Sequence, residues 1–124
     1  MRFSKLRISA EGTSRIRTIR QRTMLPPNLL CRMALMLSLE EGPLNGVTAP
    51  DEEGTEFNAY TLTGAYEDAF FALLRFVEED PDGGAPLDDA ELLVRLRGHI
   101  HRGLGTLLVR AKGPLEIARL ARAA

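Results

Sequence analysis

Arg15, Arg17, Arg20, Arg22 and Arg32 crowd the first third of the chain, and their chemistry speaks first. A guanidinium stays charged at any working pH and presents a planar fork of N–H donors that matches phosphate oxygens. The cluster is the best phosphate-binding candidate. Its alternative is pairing with carboxylates elsewhere in the chain; such surface pairs are weak but would mask the face. The two histidines lie together in Arg95-Leu96-Arg97-Gly98-His99-Ile100-His101-Arg102-Gly103-Leu104-Gly105. A His-x-His pair grips metal from a strand, but on a helix positions i and i+2 point roughly opposite ways. A structural or phosphate-contacting role for Arg102, Arg110 and Lys112 is the stronger expectation. Cys31 could be a sulfur carrier, but it sits among apolar residues, where burial raises a thiol's pKa and leaves it inert. Asp51, Glu52, Glu53 and Glu56 could hold a hard cation. They lack EF-hand spacing and a glycine at the right offset, so they read as a solvated acidic loop. No glycine-rich phosphate loop, Ser/His/Asp arrangement or zinc signature stands out. The sequence therefore predicts no catalytic residue, no metal site and no cofactor.

The charges are sorted into blocks. Residues 1–37 carry a balance of +7, residues 38–94 one of −14 and residues 95–124 one of +6, so the formal −1 hides two basic ends around an acidic middle. Such asymmetry points to a polyanion partner or to pairing between segments. The apolar fraction of 44% and charged fraction of 27% are those of a globular protein, and 124 residues suit one domain. No apolar run approaches the ~20 residues that span a bilayer. The N-terminus is charged from the start and lacks a signal core, so a cytoplasmic protein is expected. One cysteine excludes an intrachain disulfide.

These groups must be positioned by a mainly α fold. Residues 2–9 alternate, with Leu6 and Ile8 on one face and Phe3, Lys5 and Arg7 on the other, which predicts a short strand. Ser9 suits the N-cap of a helix running to about Arg22, with Ile16 and Ile19 inward. Pro26-Pro27 breaks it, and Pro27 suits the first position of the next helix. Residues 28–39 are apolar almost all round, so this helix needs burial on several sides, which a second copy of the chain could supply. Gly42-Pro43 ends it. Residues 42–64 read as an acidic, irregular connection. A helix is expected from about Ala65 to Glu79, with Tyr66, Phe70, Leu73, Leu74 and Val77 on one face. Asp88 then caps a long helix with Leu92, Leu93, Leu96, Ile100, Leu104 and Leu107 inward. Gly98, Gly103 and Gly105 within it predict a break or a close helix–helix approach. Leu115–Ala124 makes a terminal helix. The organisation expected is a single domain over 1–124: strand–helix–helix over 2–40, the connection over 42–64, and helices over 65–122.

The strand–helix–helix order is the outline of a ribbon–helix–helix module, in which two chains pair their strands and alternate side chains, here Phe3, Lys5 and Arg7, enter the DNA major groove. The alternative is an ordered arm with solvated charges.

Three stretches together carry a family resemblance: Leu25-Pro26-Pro27-Asn28-Leu29-Leu30-Cys31-Arg32 with Ser38-Leu39-Glu40; Glu56-Phe57-Asn58-Ala59-Tyr60-Thr61-Leu62 with Gly64 and Tyr66; and His99-Ile100-His101-Arg102-Gly103. In this order and spacing the chain resembles the bacterial DNA sulfur-modification family DndE. The resemblance implies a small helical accessory subunit of the phosphorothioation system, which replaces a non-bridging phosphate oxygen with sulfur. It implies DNA binding with a preference for nicked duplex, self-association as a tetramer, and no chemistry of its own. The chemistry would belong to a cysteine desulfurase, an ATP-handling reductase-like protein and an SMC-like ATPase. DNA contact would fall on Arg15, Arg17, Arg20 and Arg22, with Arg102 and Arg110 beyond them. The family's contact is associated with lysines, whereas this chain has only Lys5 and Lys112. The competing expectation is a protein scaffold docking through Glu52, Glu53 and Glu56, with DNA contact incidental.

Overall fold

The structure, a computed structural model, describes residues 3–46 and 49–123. The expectations for residue 2 of the strand, for 47–48 of the acidic connection and for residue 124 of the last helix lie outside the described residues. The elements in chain order are β1 (Lys5–Arg7), α1 (Ala10–Thr23), α2 (Pro27–Glu41), β2 (Glu56–Asn58), α3 (Ala59–Thr63), one 3-10 turn (Gly64–Tyr66), α4 (Glu67–Glu78), α5 (Asp89–Arg110) and α6 (Pro114–Ala123). The fold is mainly α and opens strand–helix–helix, as the sequence predicts.

The ribbon, however, is closed within the chain. β1 pairs antiparallel with β2, Leu6 opposite Phe57, and both side chains are buried. The pairing continues through Ile8 N–H to the Thr55 carbonyl and Ala59 N–H to the Ser4 carbonyl. Lys5 and Arg7 face solvent. Phe3 does not join them: it is buried, its ring centroid 5.9 Å from that of Phe71. The reason is that the strand begins only at Lys5, so alternation does not constrain Phe3. Burying a ring of that size is worth about 1.5–3 kcal/mol.

The connection also holds more structure than its composition suggests. Phe57 anchors β2, and the Asn58 side chain accepts from Thr61 N–H at 2.7 Å, capping α3. The 3-10 turn after α3 delays α4 until Glu67 and changes which face turns inward. Phe71 and Leu74 are buried, Phe70 and Val77 partly so, while Tyr66 and Leu73 are exposed.

Around α5 the expectations hold more closely. Asp88 caps it through Glu91 N–H, and Leu92, Leu96, Ile100, Leu104 and Leu107 are buried, Leu93 partly. The glycines do not break the helix. A Cβ at Gly103 would lie 1.8 Å from the Ala34 carbonyl oxygen, and one at Gly98 would lie 2.7 Å from Leu44 Cδ1. Each gives up as much as ~1 kcal/mol of helix propensity and gains close contact with α2 or with the chain just beyond it. Ser9 caps α1 by accepting from Gly12 N–H, and Pro27 opens α2. Among the described residues no helix is long and apolar enough to cross a membrane.

Candidate nucleic-acid interface

Ile16 and Ile19 seat α1 on the core, and this orientation decides what each of its arginines can reach. Arg15, on the seam with α5, donates to the Glu11 carboxylate and to the His101 carbonyl. Arg22 donates to the Leu108 carbonyl at 3.0 Å, joining the last turn of α1 to the last turn of α5. Arg17 and Arg20 are exposed, and among the described residues neither side chain has a hydrogen-bond or ion-pair partner. Arg110 and Lys112 are likewise exposed at the end of α5. The structure therefore brings the end of the N-terminal basic block and the C-terminal basic block to one end of the molecule.

The other cations singled out by the sequence are engaged. Lys5 and Arg7 each lie 3.9 Å from the Glu56 carboxylate, and Arg7 also donates to the Gly54 carbonyl. Arg32 donates to the Leu62 and Thr61 carbonyls at the end of α3. Arg102 serves the end of α2, donating to the carbonyls of Ser38, Gly42 and Pro43, with Glu41 3.3 Å away. The Ser38, Thr61 and Leu62 carbonyls are ones a helix terminus leaves without intrahelical partners. Those of Gly42 and Pro43 lie just past the end of α2, and a cation there also complements the helix dipole.

The acidic middle is partly tied back onto the chain. The Asp51 carboxylate accepts from Ala10 N–H at the start of α1 and from Glu53 N–H, and these bonds hold its pKa below the usual value. Glu52 pairs with Arg97 at 2.9 Å.

One constellation was not foreseen. Ser38 Oγ lies 2.8 Å from His99 Nδ1, and His99 Nε2 lies 2.9 Å from Glu78 Oε2. Arg102 Nε donates to the same serine oxygen, while Arg95 Nε and Leu44 N–H donate to Glu78. The Ser–His–carboxylate order is that of a hydrolase triad, but Ser38 and His99 have no exposed surface, so no substrate can reach the hydroxyl. Burial lowers the His99 pKa, against an opposing pull from Glu78. The hydrogen bonds fit a neutral ring: Ser38 O–H donates to Nδ1 and Nε2–H donates to Glu78. The network locks α2, α4 and α5 together. His101 points the other way, as i and i+2 must on a helix, and its Nδ1 meets Ser9 Oγ at 2.8 Å. The signal available in the sequence was a polar residue on each apolar face: Ser38 in α2, Glu78 in α4 and His99 beside Ile100.

Cys31 is fully buried, and burial pushes its thiol up to about 12. A group so rarely ionised is a poor nucleophile. Among the described residues no three His, Cys, Asp or Glu side chains converge as a metal-ligand set. The outward side of α2 does not find full cover: Leu29, Met33, Met36 and Leu37, with Leu73, Phe76 and Val77 of α4 and Ile117 and Leu120 of α6, line an open apolar groove of about 940 Å³.

The family model described as DNA sulphur modification protein DndE matches residues 5–113. Among solved structures, the chain is similar to the crystal structure of DndE from Escherichia coli B7A, described as involved in DNA phosphorothioation modification. The TM-score is 0.71 at 19% identity, over 86% of this chain and 100% of that one. Among the curated proteins none matches.

Proposed function

Because the chain belongs to the DndE family of DNA sulphur modification proteins, we propose that it is a non-catalytic, DNA-binding subunit of the DNA phosphorothioation system, acting in the cytoplasm. The observation that carries the DNA-binding reading is that Arg17 and Arg20 stand exposed and unpartnered on α1, whose last turn Arg22 ties to the end of α5, where Arg110 and Lys112 are also exposed. Lys5, Arg7, Arg15, Arg32 and Arg102 are already engaged with carboxylates or carbonyls, so their contribution to phosphate contact is smaller. The duplex is nicked DNA, and the sulfur and nucleotide chemistry is left to a cysteine desulfurase, an ATP-handling reductase-like protein and an SMC-like ATPase. Binding of this kind releases counterions, so log affinity falls by about 0.9 per log salt for each phosphate contact. Titration of intact, nicked and single-stranded DNA at several salt concentrations tests it. Tightest binding to nicked duplex, weakened in Arg17→Ala/Arg20→Ala, supports the reading. Equally weak binding to all three, unchanged in that variant, sinks it.

The apolar groove favours a second element of the function, self-association as a tetramer or docking of another subunit. An exposed apolar surface of this kind marks an interaction site. Light scattering on the purified chain gives the solution mass, and Met36→Glu, placed in the groove, shifts it to the monomer if the groove is the contact. A scaffold working through Glu52 and Glu56 is less favoured, because both carboxylates are held by cations of the same chain.

A further inference from the structure

The basic end of the molecule carries more charge than α1 supplies, and part of it comes from outside the family match, which stops at residue 113. α6 begins at Pro114. Its Ile117 and Leu120 pack against the core, and Leu120 lines the apolar groove together with Leu25, just beyond the end of α1. α6 is therefore held beside the α1–α2 junction by apolar contact. Arg119 and Arg122 are exposed, and positions i and i+3 share a helix face. Arg119 and Arg110 line a common concavity of about 350 Å³. The one carboxylate lining it is Glu116, in the first turn of α6, where the helix dipole favours an acid. Glu116 stands against Arg110, Lys112, Arg119 and Arg122, so positive charge prevails over residues 110–122. Among the described residues none of those four cations has an ion-pair or hydrogen-bond partner. Two guanidiniums around one concavity repel one another, the single carboxylate Glu116 offsets only part of that charge, and a bound anion offsets the rest. Their fork geometry matches phosphate.

We infer that α6 is an added nucleic-acid-binding element. Arg119, with Arg110 across the concavity, holds one backbone phosphate of duplex DNA and Arg122 holds another, lengthening the surface that α1 begins. The inference rests on the DNA-binding reading above. The test is fluorescence anisotropy of the full chain with a labelled nicked duplex, between about 50 and 200 mM salt. Arg119→Ala/Arg122→Ala is expected to bind more weakly, with a log–log salt slope shallower by about 1.8 for two lost contacts. Arg119→Lys/Arg122→Lys is expected to keep most of the slope, since an ammonium also neutralises a phosphate. An alanine variant with wild-type affinity and slope overturns the role of α6 and leaves the α1 reading standing. A lysine variant as weak as the alanine one overturns it too, because charge would then not be what α6 supplies. A wild-type chain showing no salt-dependent binding overturns both readings.

Discussion

The two ends of α1 receive opposite treatment. At its start, the acidic connection folds back so that Asp51 accepts the Ala10 N–H, while Glu56 lies between Lys5 and Arg7 and Glu52 meets Arg97. At its finish, Arg17, Arg20 and Arg22 are joined by the cations of α5 and α6, and carboxylates are scarce. Each arrangement suits the helix dipole, which favours acids at the N-terminus and bases at the C-terminus. The consequences differ. At the start, charge is consumed in holding the chain together; at the finish, it is left available to a partner. A count of charges by sequence block cannot separate these cases, because tertiary pairing decides which cations are spent.

The comparison implies a graded response to removing charge, and the largest effect belongs to a carboxylate that is buried. Glu78→Ala leaves the His99 Nε2–H and Leu44 N–H without their acceptor. Each unpaired buried donor costs about 1–3 kcal/mol, so a loss of roughly 3 kcal/mol is expected, seen as a drop in thermal midpoint on the order of 10 °C. A drop no larger than that of a surface substitution would show that the network is not structural. Asp51→Ala, at the exposed start of α1, is expected to lower the midpoint by less than Glu78→Ala.

Much of this was legible beforehand where a local rule governs. Ser9, Pro27 and Asp88 mark helix starts by capping chemistry, and the leucine spacing of α5 fixes its inward face. What escaped was set by contacts distant in sequence. Glu56-Phe57-Asn58 is too short to announce a strand until Lys5-Leu6-Arg7 pairs with it. Alternation over residues 2–9 places Phe3 outward, but β1 spans only Lys5–Arg7, so Phe3 lies before the strand and is free to turn inward. Ser38, Glu78 and His99 come from three helices, so no spacing in the sequence joins them. For the basic surface, the sequence named Arg17 and Arg20 but could not tell them from Arg32 and Arg102, whose partners are helix carbonyls. Arg119 and Arg122 carry no local signal in the sequence, because only packing brings α6 beside the end of α1.

Acidification sharpens the contrast next. His99 has a folded-state pKa below its ordinary value of 6.5. Above that value both folded and unfolded chains hold a neutral ring, and its contribution to stability is complete. As pH falls below it, the unfolded chain takes up a proton that the buried ring refuses, so stability declines by as much as about 1.4 kcal/mol per pH unit until the folded pKa is reached. Asp51, whose folded pKa is depressed below 3.8, keeps its full stabilising share over this range; that share is lost only as pH falls below 3.8 toward the folded value. Thermal midpoints from about pH 7.5 to 5 should therefore decline in the wild type and flatten in His99→Gln. Parallel declines in the two would assign the loss to other groups.

The smallest effect on stability is expected where the molecule is most charged. Arg17 and Arg20 touch no partner among the described residues, so Arg17→Ala/Arg20→Ala should keep its midpoint within about 0.5 kcal/mol of wild type. Removing two like charges from a crowded basic end relieves repulsion but gives up the favourable position of Arg20 in the last turn of α1, so the two effects offset and the change stays near zero. At the opposite end, Lys5→Ala/Arg7→Ala removes pairs with Glu56 that are exposed and therefore worth roughly 0–1 kcal/mol. The loss is what distinguishes the ends: a small one at Lys5 and Arg7 and none at Arg17 and Arg20, measured by denaturant unfolding of both variants in low salt. High salt should erase the difference, since screening acts on exposed charges first. If the Arg17/Arg20 variant instead loses more stability than the Lys5/Arg7 variant, those arginines are bound up in the fold, and the end of α1 is not a surface held in reserve for phosphate.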